Sequence, residues 1–303
     1  MALRADTATA PPAADAPTTL TPSVSAAQFM LAIALSIVLL ALHALAPAVS
    51  VAAGLALFVL GVPHGAVERV RVDNQGSAET RHAVPSLAYT ALYLTVAGAV
   101  LAVWLAAPLP ALALFLTVSA VHFGLSEPIL RSAGLWVVAG SLVLWTGPTL
   151  DVFAQITGNA SVADWAAPAR GLGLAAGALL LLEAARKGDL AFAFMLLALF
   201  AVLPPVQAVA VYYFAVHSVR EWRVVGRERG SLRAALRLYA PFAAPVILGG
   251  AATVAGVALG WIPLPLAAGL GVAVATPHMG PVDRWAQAAR RLWQSRNPRR
   301  TAH

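Results

Sequence analysis

The chain has 303 residues, of which 60% are hydrophobic and only 11% are charged, and its formal net charge is +7. Soluble globular proteins carry about 25% charged residues, so this composition argues against a soluble domain, a coiled coil or a disordered chain. The chain has no cysteine, which excludes disulfides, zinc ribbons and thiolate nucleophiles. We therefore predict an all-α, polytopic transmembrane helical bundle, in which the positive charge marks orientation and not a nucleic-acid partner.

The apolar runs predict about ten membrane-spanning helices after an N-terminal tail. Residues 1–27 are rich in Ala, Pro and Thr and predict a disordered tail that is not a signal peptide. A helix needs about 20 residues to cross a bilayer, within a range of about 17–25. Pro47, Pro108 and Pro204 predict tight turns between consecutive helices. The predicted spans are residues 28–46, 47–63, 86–107, 109–126, 135–153, 171–186, 189–204, 206–222, 240–259 and 261–279.

The positions of lysine and arginine orient this bundle. With ten spans and a cytoplasmic N-terminus, all of the 20 Lys and Arg residues except Arg170 fall in or beside cytoplasmic segments. Positively charged residues stay on the cytoplasmic side of membrane proteins, so we predict that both termini are cytoplasmic in the cell inner (plasma) membrane. We interpret the Arg-rich stretch 220–237 mostly as a lipid-facing loop that sets this orientation.

Four histidines each begin a recurring sequence motif, called a phrase below, in which an acidic residue follows four or five positions later. The pairs are His64 with Glu68, His122 with Glu127, His217 with Glu221, and His278 with Asp283. All four histidines fall at the cytoplasmic ends of even-numbered predicted spans, and therefore at a similar depth. Four imidazoles at one depth can bind iron, copper or zinc. The acids lie about one helical turn further on, where they can orient an imidazole or serve as ligands.

Two other interpretations of these histidines compete with a metal site. A histidine at a membrane interface often has only a structural role, in which it snorkels or forms hydrogen bonds. The repeated pairing of histidine and acid also fits a secondary transporter that relays protons or ions. The shared depth favours the metal site, because a transporter would place these groups near the midplane and because ionisable groups inside a membrane are costly.

Aromatic residues and glycines beside these motifs each have two interpretations. The aromatic residues line an apolar substrate tunnel or belong to an interfacial belt. They are Phe123, Tyr212, Tyr213 and Phe214. Gly61 and Gly124 either allow close helix packing or leave room for a substrate beside the metal.

The chain resembles the Brp/Blh family in four phrases, GVPHGAVE, VHFGLSEP, AVHSVREW and TPHMGPVDRW, which follow in this order. Members of this family are integral-membrane β-carotene 15,15′-dioxygenases that are found with bacterial and archaeal rhodopsins. The resemblance covers roughly residues 28–285, which would form the catalytic domain, with residues 286–303 as a basic cytoplasmic tail. It implies that histidine-bound Fe²⁺ and O₂ cleave the central double bond of β-carotene, or of a related carotenoid, to give retinal. The implied partners are the carotenoid, O₂, membrane lipid and a rhodopsin that receives the retinal, without nucleic acid.

The resemblance also assigns roles to residues by position. It implies that His64, His122 and His217 are iron ligands. The family tends to carry a further histidine one turn after the third one, where this chain has Glu221, so the fourth group is either Glu221 or His278. No catalytic side chain is expected beyond the metal ligands. The carboxylates expected to orient the ligands are Glu68, Glu127 and Asp283.

Overall fold

The computed structural model describes residues 24–62, 87–127, 129–228 and 230–279. Within these residues the chain is helical and has no strand, which confirms the all-α prediction. The predicted tails, 1–27 and 286–303, lie largely or wholly outside the described residues. The α-helices are α1 (Ala26–Leu45), α2 (Pro47–Gly61), α3 (Leu87–Ala106), α4 (Pro108–Ser126), α5 (Ala133–Ala139), α6 (Ser141–Leu144), α7 (Thr146–Thr157), α8 (Ala166–Lys187), α9 (Leu190–Val202), α10 (Pro205–Val211), α11 (Val219–Glu228), α12 (Leu232–Ala258) and α13 (Leu264–Ala275). A π-helix spans Tyr212–Ser218, and 3₁₀ turns span Ala160–Trp165 and Thr276–Met279.

Proline begins three of these helices. Pro47, Pro108 and Pro205 are the first residues of α2, α4 and α10. Proline suits this position because its ring fixes φ near the helical value and the missing N–H would have no partner inside the helix. Only Ala46 separates α1 from α2, and only Ala107 separates α3 from α4. The predicted tight turns at these prolines are therefore confirmed.

The fifth predicted span, residues 135–153, is a bent segment and not one straight helix. The axis of α7 is bent by 111° from that of α5 and α6, with the break at Trp145. Pro148 cannot donate a backbone hydrogen bond to the carbonyl of Leu144, four residues earlier, so the helical ladder is interrupted here. Gly147 and Pro148 are the sequence signal that marks this break.

The bent segment nevertheless runs from one end of the bundle to the other. The backbone N–H of Ser132, just before α5, donates a 2.8 Å hydrogen bond to Glu183 near the C-terminal end of α8. At the same end, Lys187 Nζ donates to the carbonyl of Ile129 at 2.6 Å. A 22-residue helix such as α8 is about 33 Å long, so its first turn, which follows α7, lies at the opposite end. The segment α5–α7 therefore crosses the bundle and does not return as a re-entrant loop.

Several helices are suited to a lipid environment. By length and composition, α1, α4 and the segment Ala160–Lys187 could each span a membrane, and the bent pair could form a fourth span. Five shorter apolar helices accompany them in the described part of the chain. Large aliphatic side chains face outward, such as Ile37, Leu94 and Leu248, which are 62%, 63% and 69% exposed. Such side chains are stable on the outside of a bundle when the surrounding solvent is lipid.

Candidate metal centre

His217 lies on the π-helix between α10 and α11 and is completely buried, with 0% of its surface exposed. A π-helix widens the turn from i→i+4 to i→i+5, and such turns often occur at functional sites. The hydroxyl of Ser218 lies 2.7 Å from the carbonyl oxygen of Tyr213, five residues earlier. The side-chain amide of Gln28 on α1 donates to the carbonyl of Val216 at 2.9 Å. Side chains therefore supplement the backbone bonds of the turn that carries His217.

His122 lies beside His217. It is on the last turns of α4, is 7% exposed, and its ring centroid is 5.3 Å from that of His217. The two ring planes are inclined by 69°. Two imidazoles that bind one metal through nitrogens at about 2.1 Å have ring centroids roughly 5 Å apart. The structure thus brings two predicted ligands together, from distant parts of the chain, at a spacing that suits a shared metal ion.

Aromatic rings enclose His217. The edge of Phe123 lies against it at 5.1 Å between centroids, and Tyr213 stacks on it at 5.8 Å with an interplanar angle of 18°. Tyr212 stacks at 6.5 Å. These three aromatic residues are buried, whereas Phe214 is half-buried. Three of the four predicted tunnel residues therefore form an apolar surround for the imidazole that excludes water, while the tunnel itself stays a prediction.

Glu127 belongs to a buried polar network. It caps the C-terminal end of α4 and accepts hydrogen bonds from the Tyr212 hydroxyl at 2.9 Å and from Arg220 Nη1 at 2.7 Å. Burial raises the pKa of the Glu127 carboxyl, and the positive charge of Arg220 opposes this rise. The link from Glu127 to the imidazoles runs through Tyr212, whose ring stacks on His217. Glu127 therefore positions an aromatic neighbour of the predicted ligand.

Glu221 lies on the first turn of α11, four residues after His217. It is buried, and its Oε1 is 3.6 Å from Nε of Arg220. Residues four apart share a face of a helix, so Glu221 and His217 lie on the same side of this segment. Arg220 stands between the two carboxylates, Glu127 and Glu221, and compensates their buried charge.

The structure describes the remaining predicted site residues only in part. His64, Glu68 and Asp283 lie outside the described residues, and for His278 only the backbone is described, in the turn Thr276–Met279. Among the described residues, no group of three or more His, Asp or Glu side chains could hold a metal. The full ligand set therefore stays a prediction.

Two contacts bring further segments to the histidine pair. The hydroxyl of Ser119, one turn before His122, donates to Met279 Sδ at 3.6 Å, so the turn that contains His278 packs on α4. The hydroxyl of Ser218 lies 3.1 Å from the carbonyl oxygen of Gly61, the last residue of α2. The ends of α2, α4 and the π-helix and the turn after α13 thus meet at one end of the bundle.

Arg220 is a buried charged residue beside the histidine pair that the sequence motifs do not single out. The prediction of a loop over 220–237 is wrong for most of this stretch, because its described residues form α11 and the start of α12, whereas its contact with lipid stays a prediction. The side chain of Arg220 is only 13% exposed and pairs with Glu127. Its position inside the predicted span 206–222 is a signal that could have identified it, since a charged residue within a span usually has a buried partner.

An apolar cleft of about 1070 Å³ lies on the other face of α4 from His122. It is lined by side chains of α4, α5, α7 and α8, among them Leu116, Ala120, Leu135 and Leu172, and also by Arg131. None of the four predicted tunnel residues lines it. Gly124 faces this region, where an added Cβ would lie 2.5 Å from the carbonyl oxygen of Arg131, so this glycine serves close packing.

Comparison with known proteins gives one match. A family model described as beta-carotene 15,15′-dioxygenase matches residues 55–280. The matched range contains all four histidine phrases up to His278. No curated protein and no solved structure shows significant similarity to the chain.

Proposed function

Because the chain belongs to the beta-carotene 15,15′-dioxygenase family, we propose that it cleaves the central double bond of β-carotene, or of a related carotenoid, with O₂ to give retinal. The observation that carries this proposal is the buried pair of His122 and His217, with ring centroids 5.3 Å apart, inside the matched range. Hand-off of the retinal to a rhodopsin is an expectation from the resemblance only.

The proposed cofactor is Fe²⁺. The spacing and burial of His122 and His217 fit one metal ion, and neutral imidazole is a suitable ligand for iron. We propose that His64 is the third ligand and that Glu221 or His278 completes the set. Bound ferrous iron supplies the activation of dioxygen, which no side chain of the chain can provide.

The described residues have supporting roles in this proposal. Phe123 and Tyr213 both pack against the His217 ring, so they restrain its orientation and exclude water from it. A dry site limits side reactions of oxygen chemistry. Arg220 and Glu127 hold Tyr212 through a buried hydrogen-bond network. The chain thus contributes orientation and an apolar environment, which suit a substrate that dissolves only in lipid.

We further propose that the bundle has ten spans, with both termini cytoplasmic, in the plasma membrane. The distribution of Lys and Arg supports this orientation. The contact between Ser132 and Glu183 supports a crossing by the bent fifth segment, which keeps the number of spans even. The histidine pair then lies at the cytoplasmic edge of the membrane.

The test is iron content and carotene cleavage of wild-type protein and of His122→Ala and His217→Ala. We expect the wild type to bind about one iron per chain and to bleach a carotene-producing host with formation of retinal. Both variants should lose iron and leave the carotene intact. His43→Ala is the control, because His43 lies at the opposite end of α1 from the site. A well-expressed wild type that binds no iron, or that leaves the carotene unchanged, would refute the proposal.

A further inference from the structure

The hydroxyl of Ser218 joins the π-helix to the end of α2. Ser218 is buried, and its Oγ lies 2.7 Å from the carbonyl oxygen of Tyr213 and 3.1 Å from that of Gly61. The single hydroxyl proton is therefore shared between a carbonyl of the π-helix and the last carbonyl of α2. Three-centre bonds of this kind are common where helices end. Ser218 directly follows His217, so this contact lies beside a predicted metal ligand.

Gly61 allows this contact because it has no side chain. A Cβ at Gly61 would lie 2.6 Å from Cδ1 and 2.7 Å from Cε1 of Tyr213, and 3.1 Å from Oγ of Ser218. These distances are too short for packed carbon atoms, so any larger residue would displace the Tyr213 ring. That ring stacks on His217 at 5.8 Å. A displacement at Gly61 is therefore transmitted to the imidazole through one aromatic ring.

A second bond restrains the same turn from the other side. Gln28, on the first turn of α1, donates to the carbonyl of Val216, the residue before His217. The residues before and after His217 are thus each held by a side-chain bond to a different helix. Such restraint fixes the position of a ligand before metal binding, which lowers the cost of binding.

We propose that Gly61 and Ser218 are positioning residues for the metal site. Their contact holds the end of α2 against the π-helix and thereby restrains the turn that carries His217. This inference rests on the proposed function, since it assumes that His217 binds iron. Loss of the contact weakens iron binding and changes the geometry of the iron that remains.

The first experiment compares Ser218→Ala with Ser36→Ala. The Ser36 hydroxyl bonds to Ala32 within α1 and does not join two helices, so its removal is a matched control. We expect Ser218→Ala to bind Fe²⁺ about 10-fold more weakly than the wild type, whereas Ser36→Ala should bind it equally well. With nitric oxide as the probe, the electron paramagnetic resonance signal of the ferrous protein should change only in Ser218→Ala.

The second experiment compares Gly61→Ala with Gly54→Ala on the same helix. A Cβ at Gly54 would meet its nearest neighbours, atoms of Gln207, at 3.6 Å, which is an ordinary contact. We expect Gly61→Ala to weaken Fe²⁺ binding by about 10- to 100-fold and Gly54→Ala to leave it unchanged. If Gly61→Ala does not fold, the Ser218→Ala comparison decides alone, because that change adds no atoms.

The outcomes separate this inference from the proposed function. A wild-type protein that binds no iron overturns the proposed function. A wild-type protein that binds iron, together with a folded Ser218→Ala that has the same affinity and the same nitric oxide signal, overturns the positioning role alone. Weaker binding with an altered signal supports both.

Discussion

Replacement of Arg220 by methionine is expected to destabilise the protein strongly. Arg220 Nη1 lies 2.7 Å from Oε2 of Glu127, whose side chain is completely buried, and Arg220 Nε lies 3.6 Å from Glu221. Methionine removes the positive charge and leaves two buried carboxylates without it. Removal of one partner of a buried ion pair costs about 3–5 kcal/mol, because the remaining charge is not solvated. The folded fraction relative to the unfolded one should therefore fall by roughly 100-fold or more.

The assay is unfolding by sodium dodecyl sulfate in mixed micelles, followed by the fluorescence of the eight tryptophans. The double variant Glu127→Gln/Arg220→Met should regain more than half of the lost free energy of unfolding, because the Glu127 charge is then removed as well. Arg227→Met, on the same helix at an exposed position, is the control and should change stability by less than about 0.5 kcal/mol. If Arg220→Met is as stable as wild type, or if the double variant is as unstable as Arg220→Met, the ion pair does not have the role assigned to it.

Two further predictions concern the packing and the topology of the bundle. Gly134→Ala should lower the free energy of unfolding by about 1–3 kcal/mol, because the added Cβ would overlap the carbonyl oxygen of Ala120 on α4. Gly171→Ala is the control: a Cβ added there has no neighbour within 4 Å, so this change should be neutral in the same unfolding assay. The chain has no native cysteine, so single introduced cysteines can be labelled without background. A membrane-impermeant maleimide added to intact cells should label Ser161→Cys but not Gly188→Cys. Labelling of Gly188→Cys would contradict the proposed orientation.

The helix positions were predictable because they depend on local properties of the sequence. Apolar runs separated by Pro47 and Pro108 gave helix starts that agree with the structure, since proline acts on the backbone of its own turn. The break at Trp145 was missed because the apolar run continues through it, although Gly147 and Pro148 were a sufficient signal. Apolar runs and proline positions thus predict where helices begin and end better than they predict where a helix bends.

The contacts of the candidate site were only partly predictable. The approach of His122 and His217 agrees with the expectation from their shared depth, because depth follows from the position of a residue along a span. The π-helix and the pairing of Glu127 with Arg220 depend on how helices rotate against one another. Composition and spacing do not determine that rotation, so they do not indicate that Glu127 contacts Tyr212 instead of an imidazole.

The separation of Glu127 and Arg220 along the chain has a consequence for biosynthesis. The helices α5 to α10 lie between them, so Glu127 leaves the ribosome and enters the membrane region long before Arg220 is synthesised. Until then the nascent chain holds a carboxylate without its cation, and the histidine pair cannot assemble either. A polypeptide released before α11 is complete would therefore be a substrate for membrane quality control and would lack the proposed iron site.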